Sequence, residues 1–225
     1  MLKLFTALAL VLALTEQSPK GYNDLDDYGF KGNPKKIIYS AHPNPVETDG
    51  KWTADEAPRF TKTWLVNDYG QFISETVDMG GEERKTVYEY RDSLKFKARV
   101  TAPYTKTVIK YSYTQNTYTT MEYLLHGREE ELQSVIETTL DQNMLTIKEV
   151  VKNYNDGKLT ANYTTDYTAR DNGYITGYII TDVLKKKTTT YLLTVLERDA
   201  KGNPLLVIKK EDGKPYWLTK YKYEY

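Results

Sequence analysis

The chain has no cysteine in its 225 residues, only two histidines, and no net charge, with 31 basic residues against 31 acidic. Without cysteine there is no disulfide framework, no thiolate metal site and no lipobox residue to carry a lipid. His42 and His126 lie far apart in sequence, which gives a transition metal little to hold; both read as loop histidines. The balanced charge offers no basic stripe, so nucleic acid is excluded as a partner. No Gly-x-Ser-x-Gly, His-Glu-x-x-His or phosphate-cradling glycine loop occurs, and no cofactor is expected. Activity is therefore not expected. A glycosidase stays open as the alternative, because two carboxylates suffice for it and leave no spacing signature. Glu129, Glu130 and Glu131 are adjacent but read as a solvated charge run.

Long apolar runs are also missing. The longest, Leu4 to Leu14, is eleven residues, short of the ~20 that a spanning helix needs. It follows the positive start Met1-Leu2-Lys3, and small residues at Ala13 and Thr15 allow a cut at its end, the pattern of a secretory signal peptide over residues 1–15. An uncleaved anchor or a buried N-terminal helix are the alternatives. Removing those fifteen residues takes away Lys3 alone among charges, leaving 30 basic against 31 acidic, a net −1. The expected location is outside the cytoplasm: periplasmic, cell surface or extracellular. Residues 16–27 read as a polar, extended leader and 28–225 as a single domain.

What the chain does have is tyrosine, 21 against 5 phenylalanines, in alternating runs with Thr, Val, Ile and Leu. Turn signals interrupt the runs at Asp68-Tyr69-Gly70, Gly80-Gly81, Asn155-Asp156-Gly157, Asp171-Asn172-Gly173, Lys201-Gly202-Asn203 and Asp212-Gly213. This spacing predicts an all-β fold: an antiparallel meander of about 12–14 short strands in β-hairpins, forming one large twisted or curled sheet. Leu94, Phe96, Ala98 and Val100 would share one face, with Lys95, Lys97 and Arg99 on the other. Tyr221, Tyr223 and Tyr225 alternate with Lys222 and Glu224 in the same way. Arg128 to Leu140 is ambiguous, since Leu132, Val135, Ile136 and Leu140 have helical spacing. Its β-branched content favours strand.

Glu197-Arg-Asp-Ala-Lys-Gly-Asn-Pro-Leu-Leu-Val, Lys210-Glu-Asp-Gly-Lys-Pro and Tyr221-Lys-Tyr-Glu-Tyr resemble the tyrosine–aspartate (YD, or RHS-like) repeats of secreted bacterial proteins. Asp27-Tyr-Gly-Phe-Lys-Gly-Asn-Pro-Lys-Lys-Ile resembles the opening segment of uncharacterised exported proteins that carry them. The match covers residues 24–40 and 195–225 and is degenerate between. The resemblance implies an elongated or curling sheet outside the cytoplasm that acts as scaffold, shell or binding surface, with no implied activity.

The expected function is accordingly a non-enzymatic exported scaffold or binding protein. Its partner would be an unidentified protein or a glycan, and the alternative is a carbohydrate-active or carbohydrate-binding protein. Candidate ligand-binding residues are Trp52, Trp64 and Trp217, which could make a sugar-stacking platform, with Tyr221 and Tyr223 beside Trp217. The competing reading has each ring capping a hydrophobic layer. Asp24, Asp26, Asp27 and Gly29 look superficially like a calcium loop. Tyr28 and Lys35 stand where oxygen ligands are required, so a solvated turn is the expectation. The closing run to Tyr225 also resembles the last strand of an outer-membrane barrel, but Lys and Glu interrupt the aliphatic rows and no stable membrane insertion is expected.

Overall fold

The computed structural model describes residues 23–225; the expected signal peptide and most of the leader lie outside the described residues. A short helix, α1 (Asp24–Tyr28), is followed by strands only. The first five are β1 (Lys36–His42), β2 (Val46–Thr48), β3 (Lys51–Thr53), β4 (Phe60–Val66) and β5 (Phe72–Asp78). Next come β6 (Glu83–Arg91), β7 (Leu94–Thr101), β8 (Lys106–Tyr113), β9 (Thr117–His126), β10 (Glu129–Leu140) and β11 (Thr146–Asn155). The last are β12 (Lys158–Asp171), β13 (Tyr174–Asp182), β14 (Lys187–Arg198), β15 (Pro204–Glu211) and β16 (Lys214–Glu224). The ambiguous segment is strand from Glu129 to Leu140, as its β-branched residues favour.

The sheet is not an open or curled one. β1 and β4 to β16 form a closed antiparallel barrel of fourteen strands in sequential order. β1 pairs with β4 on one side and with β16 on the other, from Lys36↔Glu224 to His42↔Leu218. The final strand is therefore no edge. Closure has two physical causes. It pairs the backbone groups of both would-be edges, and it buries inward rings that an open sheet would leave wet: Tyr39 and Tyr221 meet edge-on at 5.2 Å across the seam. Register shifts in β4–β5, β6–β7, β9–β10 and β12–β13 add the local twist that a small barrel needs.

The turns were legible. Asp156 and Gly157, Asn172 and Gly173, and Asp212 and Gly213 all hold positive φ, the geometry of two-residue hairpin connections. The faces were partly misread. The shift between Glu89 and Tyr90 brings Lys95 inward opposite Tyr90, while Lys97 and Arg99 point out. Pairing sorts the wall into rows. Tyr88, Ala98, Ile109, Glu122 and Ser134 follow one another round the inside. Lys97, Lys110, Met121, Val135 and Lys152 follow one another round the outside.

Residues 24–27, expected in an extended leader, are instead the helix, and it stoppers the barrel at the end where both termini lie. Asn23 caps it by accepting from the backbone N–H of Leu25 at 2.8 Å, and Gly29 ends it in the left-handed region. Leu25 and Phe30 are buried with Ile37, Trp64, Phe72 and Val207 in the main core. The expected solvated turn is also corrected, since Asp24 and Asp27 are buried and bonded to opposite walls. Beyond the helix, Asn203 works as a piece of backbone: it accepts from Lys31 N–H at 2.6 Å and donates to Lys31 C=O at 3.0 Å.

The β2–β3 hairpin is separate from the barrel sheet. Its Trp52 lies 5.9 Å from the amine of Lys210, and the neighbouring outward residues His42, Ile208 and Leu218 are buried. The hairpin thus lies against the outside of the wall over β1, β15 and β16.

Candidate functional site

The barrel interior is divided. On the side of β1, β14, β15 and β16 the core fills it, with Tyr39, Leu193, Val195, Tyr221 and Tyr223 packed against Phe30 and Ile37. On the side of β4 to β12 a cavity of about 340 Å3 remains, floored by α1. That volume falls within the range of small-molecule sites. Tyrosines and carboxylates share its walls with Thr, Ser and Ile, since each inward row takes one residue in two from every strand.

Four carboxylates in the lining have cations. Asp24 takes Lys95 at 2.5 Å and also accepts from Phe72 N–H at 2.8 Å. Asp27 takes Arg170 at 3.2 Å and both the N–H and the hydroxyl of Thr146 at 2.8 Å. Glu75 takes Lys62 at 3.2 Å and the indole N–H of Trp64 at 2.9 Å. Glu122 takes Arg84 at 2.9 Å, and Arg84 is the more exposed of that pair. Buried carboxylates of this kind persist only when charged partners and hydrogen bonds replace water.

Glu149 differs. It accepts the hydroxyl of Tyr167 at 2.6 Å and has no ion pair among the described residues. Burial raises its carboxyl above the ordinary range, with the Tyr167 hydrogen bond acting in the opposite direction. Register places it in the rung Tyr118, Thr138, Glu149, Thr165 across β9 to β12. The hydroxyl of Thr138 lies beside it, fully buried, without a partner at hydrogen-bonding geometry. Burial also raises the phenol of Tyr88 well above its ordinary value, so it stays a neutral donor at physiological pH.

A second cluster lines the barrel wall farther round. The amine of Lys209 stands 4.2 Å from the ring of Tyr191, 5.3 Å from Tyr178 and 5.4 Å from Tyr216. Burial pushes it down to about 8.

Of the residues singled out from sequence, Trp64, Tyr221 and Tyr223 meet in one core around Phe30, while Trp52 and Trp217 lie apart from it. Trp64 is buried and lines the cavity beside Glu75. Tyr221 and Tyr223 stack at 6.1 Å inside the core against Phe30. Trp217 packs edge-on with Tyr216 at 5.0 Å and with Phe60 at 6.3 Å, while Trp52 is on the outer hairpin. No common platform forms. Glu75, Glu122 and Glu149 leave no sequence signal because each stands alone in a strand, whereas Asp24 and Asp27 are visible in the sequence but read there as a solvated turn. The available signal was a charge inside an apolar run, such as Lys95 between Leu94 and Phe96.

No protein-family model matches the chain, and no curated protein matches it. Among solved structures, it is similar to a porin-like protein from Bacteroides vulgatus, with a TM-score of 0.51 and 10% identity over 85% of this chain and 98% of that one. A porin-like protein from Bacteroides uniformis aligns with a TM-score of 0.36 and 16% identity, over 85% and 96% of the two chains. The likeness to the first is one of fold: a closed antiparallel barrel.

Proposed function

We propose that the protein is a non-enzymatic binding barrel that works in an aqueous compartment outside the cytoplasm and holds a small ligand in its interior. The observation that carries this reading is the tyrosine-lined cavity with convergent polar groups, closed beneath by a helix pinned to both walls. The apolar stretch Leu4 to Leu14 supports export.

The outer wall argues for water rather than lipid around it. Lys97, Arg99, Lys110, Glu137, Lys148, Lys152, Lys220 and Lys222 all occupy outward rows. A single Lys or Arg on a lipid-facing wall costs about 2–4 kcal/mol at the bilayer midplane. The helix and Phe30 also obstruct the end where the termini lie, which is unlike an open conduit. A pore is the second reading, favoured by the barrel likeness to a porin-like protein.

Catalysis has one supporting feature, the raised carboxyl of Glu149, which suits a general acid. Against it, Glu75 and Glu122 are held in ion pairs with Lys62 and Arg84 rather than free as base or nucleophile. A single experiment tests the reading: purification without detergent, then a thermal-shift screen against amines, amino acids, organic acids and glycans, with glycan hydrolysis assayed alongside. Saturable stabilisation without turnover is expected. Failure of every compound class, glycan turnover, or ion conductance in planar bilayers would each overturn it.

A further inference from the structure

The charges in the cavity do not cancel. Its lining holds five carboxylates, Asp24, Asp27, Glu75, Glu122 and Glu149, with the cations Arg84 and Lys95. Lys62 and Arg170 pair into it from beside. Five carboxylates against four cations leave one without a charged partner, and the ion-pair geometry makes it Glu149, whose ionised form a bound cation would stabilise. An acidic surplus in a desolvated space favours an incoming cation.

Two further features sit on the same spot. The hydroxyl of Thr138 is buried beside Glu149 without a partner at full hydrogen-bonding geometry, so it has capacity for a better one. Aromatic rings surround the rung as well: Tyr113 and Tyr118 pack at 5.6 Å, and Tyr111 and Tyr167 line the same space. Ring faces attract a cation, more strongly when water is excluded.

We infer that the cavity binds a small organic cation, a primary or quaternary ammonium compound, with its charge against Glu149 and the tyrosine faces and its polar group at Thr138. This rests on the reading of the barrel as a binding protein. An anionic ligand would meet the unpaired carboxylate at a repulsive distance. A neutral sugar could use Thr138 but would leave the surplus charge where it is.

Isothermal titration with the full barrel, using choline, tyramine and agmatine as probes, tests the inference. The uncharged analogue of choline, 3,3-dimethylbutan-1-ol, serves as the control, beside cellobiose and citrate for the other classes. At least one ammonium probe should bind, at least about tenfold more tightly than the uncharged analogue. Glu149→Gln should weaken that probe by about tenfold or more. Thr138→Val removes a hydroxyl without a fully aligned partner at constant shape, so it should keep or raise the melting temperature while weakening the probe. That variant separates lost binding from lost folding. Equal binding of choline and its analogue, or binding of cellobiose or citrate alone, would overturn the cation inference and leave the binding barrel standing. Silence from every probe in this panel would overturn the cation inference, and silence across the wider thermal-shift screen would remove both.

Discussion

The carboxylate of Asp24 and the amine of Lys95 meet at 2.5 Å inside the barrel, although 71 positions separate them in the chain. Both are buried. The pair joins the plug to β7, and Tyr90 adds its hydroxyl to Asp24 at 3.2 Å. Lys95→Met should cost about 3–5 kcal/mol, because it strands a buried carboxylate. The double variant Asp24→Asn, Lys95→Met should recover a large part of that loss. Urea unfolding of the singles and the double gives the coupling directly, and additive losses would show that the pair does not act as a unit.

Gly29 follows the helix at φ 75°, and a Cβ there would lie 2.2 Å from the backbone nitrogen of Tyr174. Gly80 has nearly the same φ, 72°, with open space around it. Gly80→Ala should therefore cost only the left-handed penalty of about 1–2 kcal/mol. Gly29→Ala should cost distinctly more, since backbone must move. Melting temperatures of the two variants decide it, and equal shifts would mean that the helix is not seated against β13.

Alkaline stability should rise and then fall. Lys209 sits at about 8 in the fold and near 10.4 in an unfolded chain. Across that window the unfolded state holds more protons, so stability climbs with pH. Burial raises the phenols of Tyr39, Tyr88 and Tyr111, and their contribution is full below ~10 and lost above it. Melting temperature against pH should peak near pH 10 and drop steeply beyond. Lys209→Met should flatten the rising limb and spare the falling one.

Removal of residues 217–225 deletes most of β16 and leaves both β1 and β15 unpaired along their facing sides. Tyr221 and Tyr223 leave the core with it. The truncated chain should aggregate and lose its cooperative melt. A soluble, cooperatively melting product would mean that the barrel does not depend on closure.

Local features were readable from the chain and non-local ones were not. Asp156-Gly157 and Asp212-Gly213 announce their hairpins because positive φ is a property of two adjacent residues. The inward tyrosines of β16 follow from period two alone. Closure is different. It depends on residues 36–42 meeting residues 218–224, and nothing within either segment records the partner. Lys95 was assigned outward because a register shift after Glu89 resets the alternation, and a shift has no composition of its own. The acidic cavity was invisible for the same reason: Asp24, Glu75, Glu122 and Glu149 come from four distant elements and share a space only once the ring is complete.

The pairing of Lys36 with Glu224 also imposes an order of events. Each neighbouring pair can zip as soon as its two strands exist, β1 with β4 included, but the other side of β1 waits for the last strand. Until then the stopper has no vessel. Asp24 and Asp27 need walls contributed by residues 95, 146 and 170, and Lys31 needs Asn203. A chain built this way becomes whole in one late step, when its most distant pairing forms. Pulse-labelled hydrogen exchange should find the β1 and β16 amides that bond across their shared seam protected together and last; early protection of those amides would contradict it.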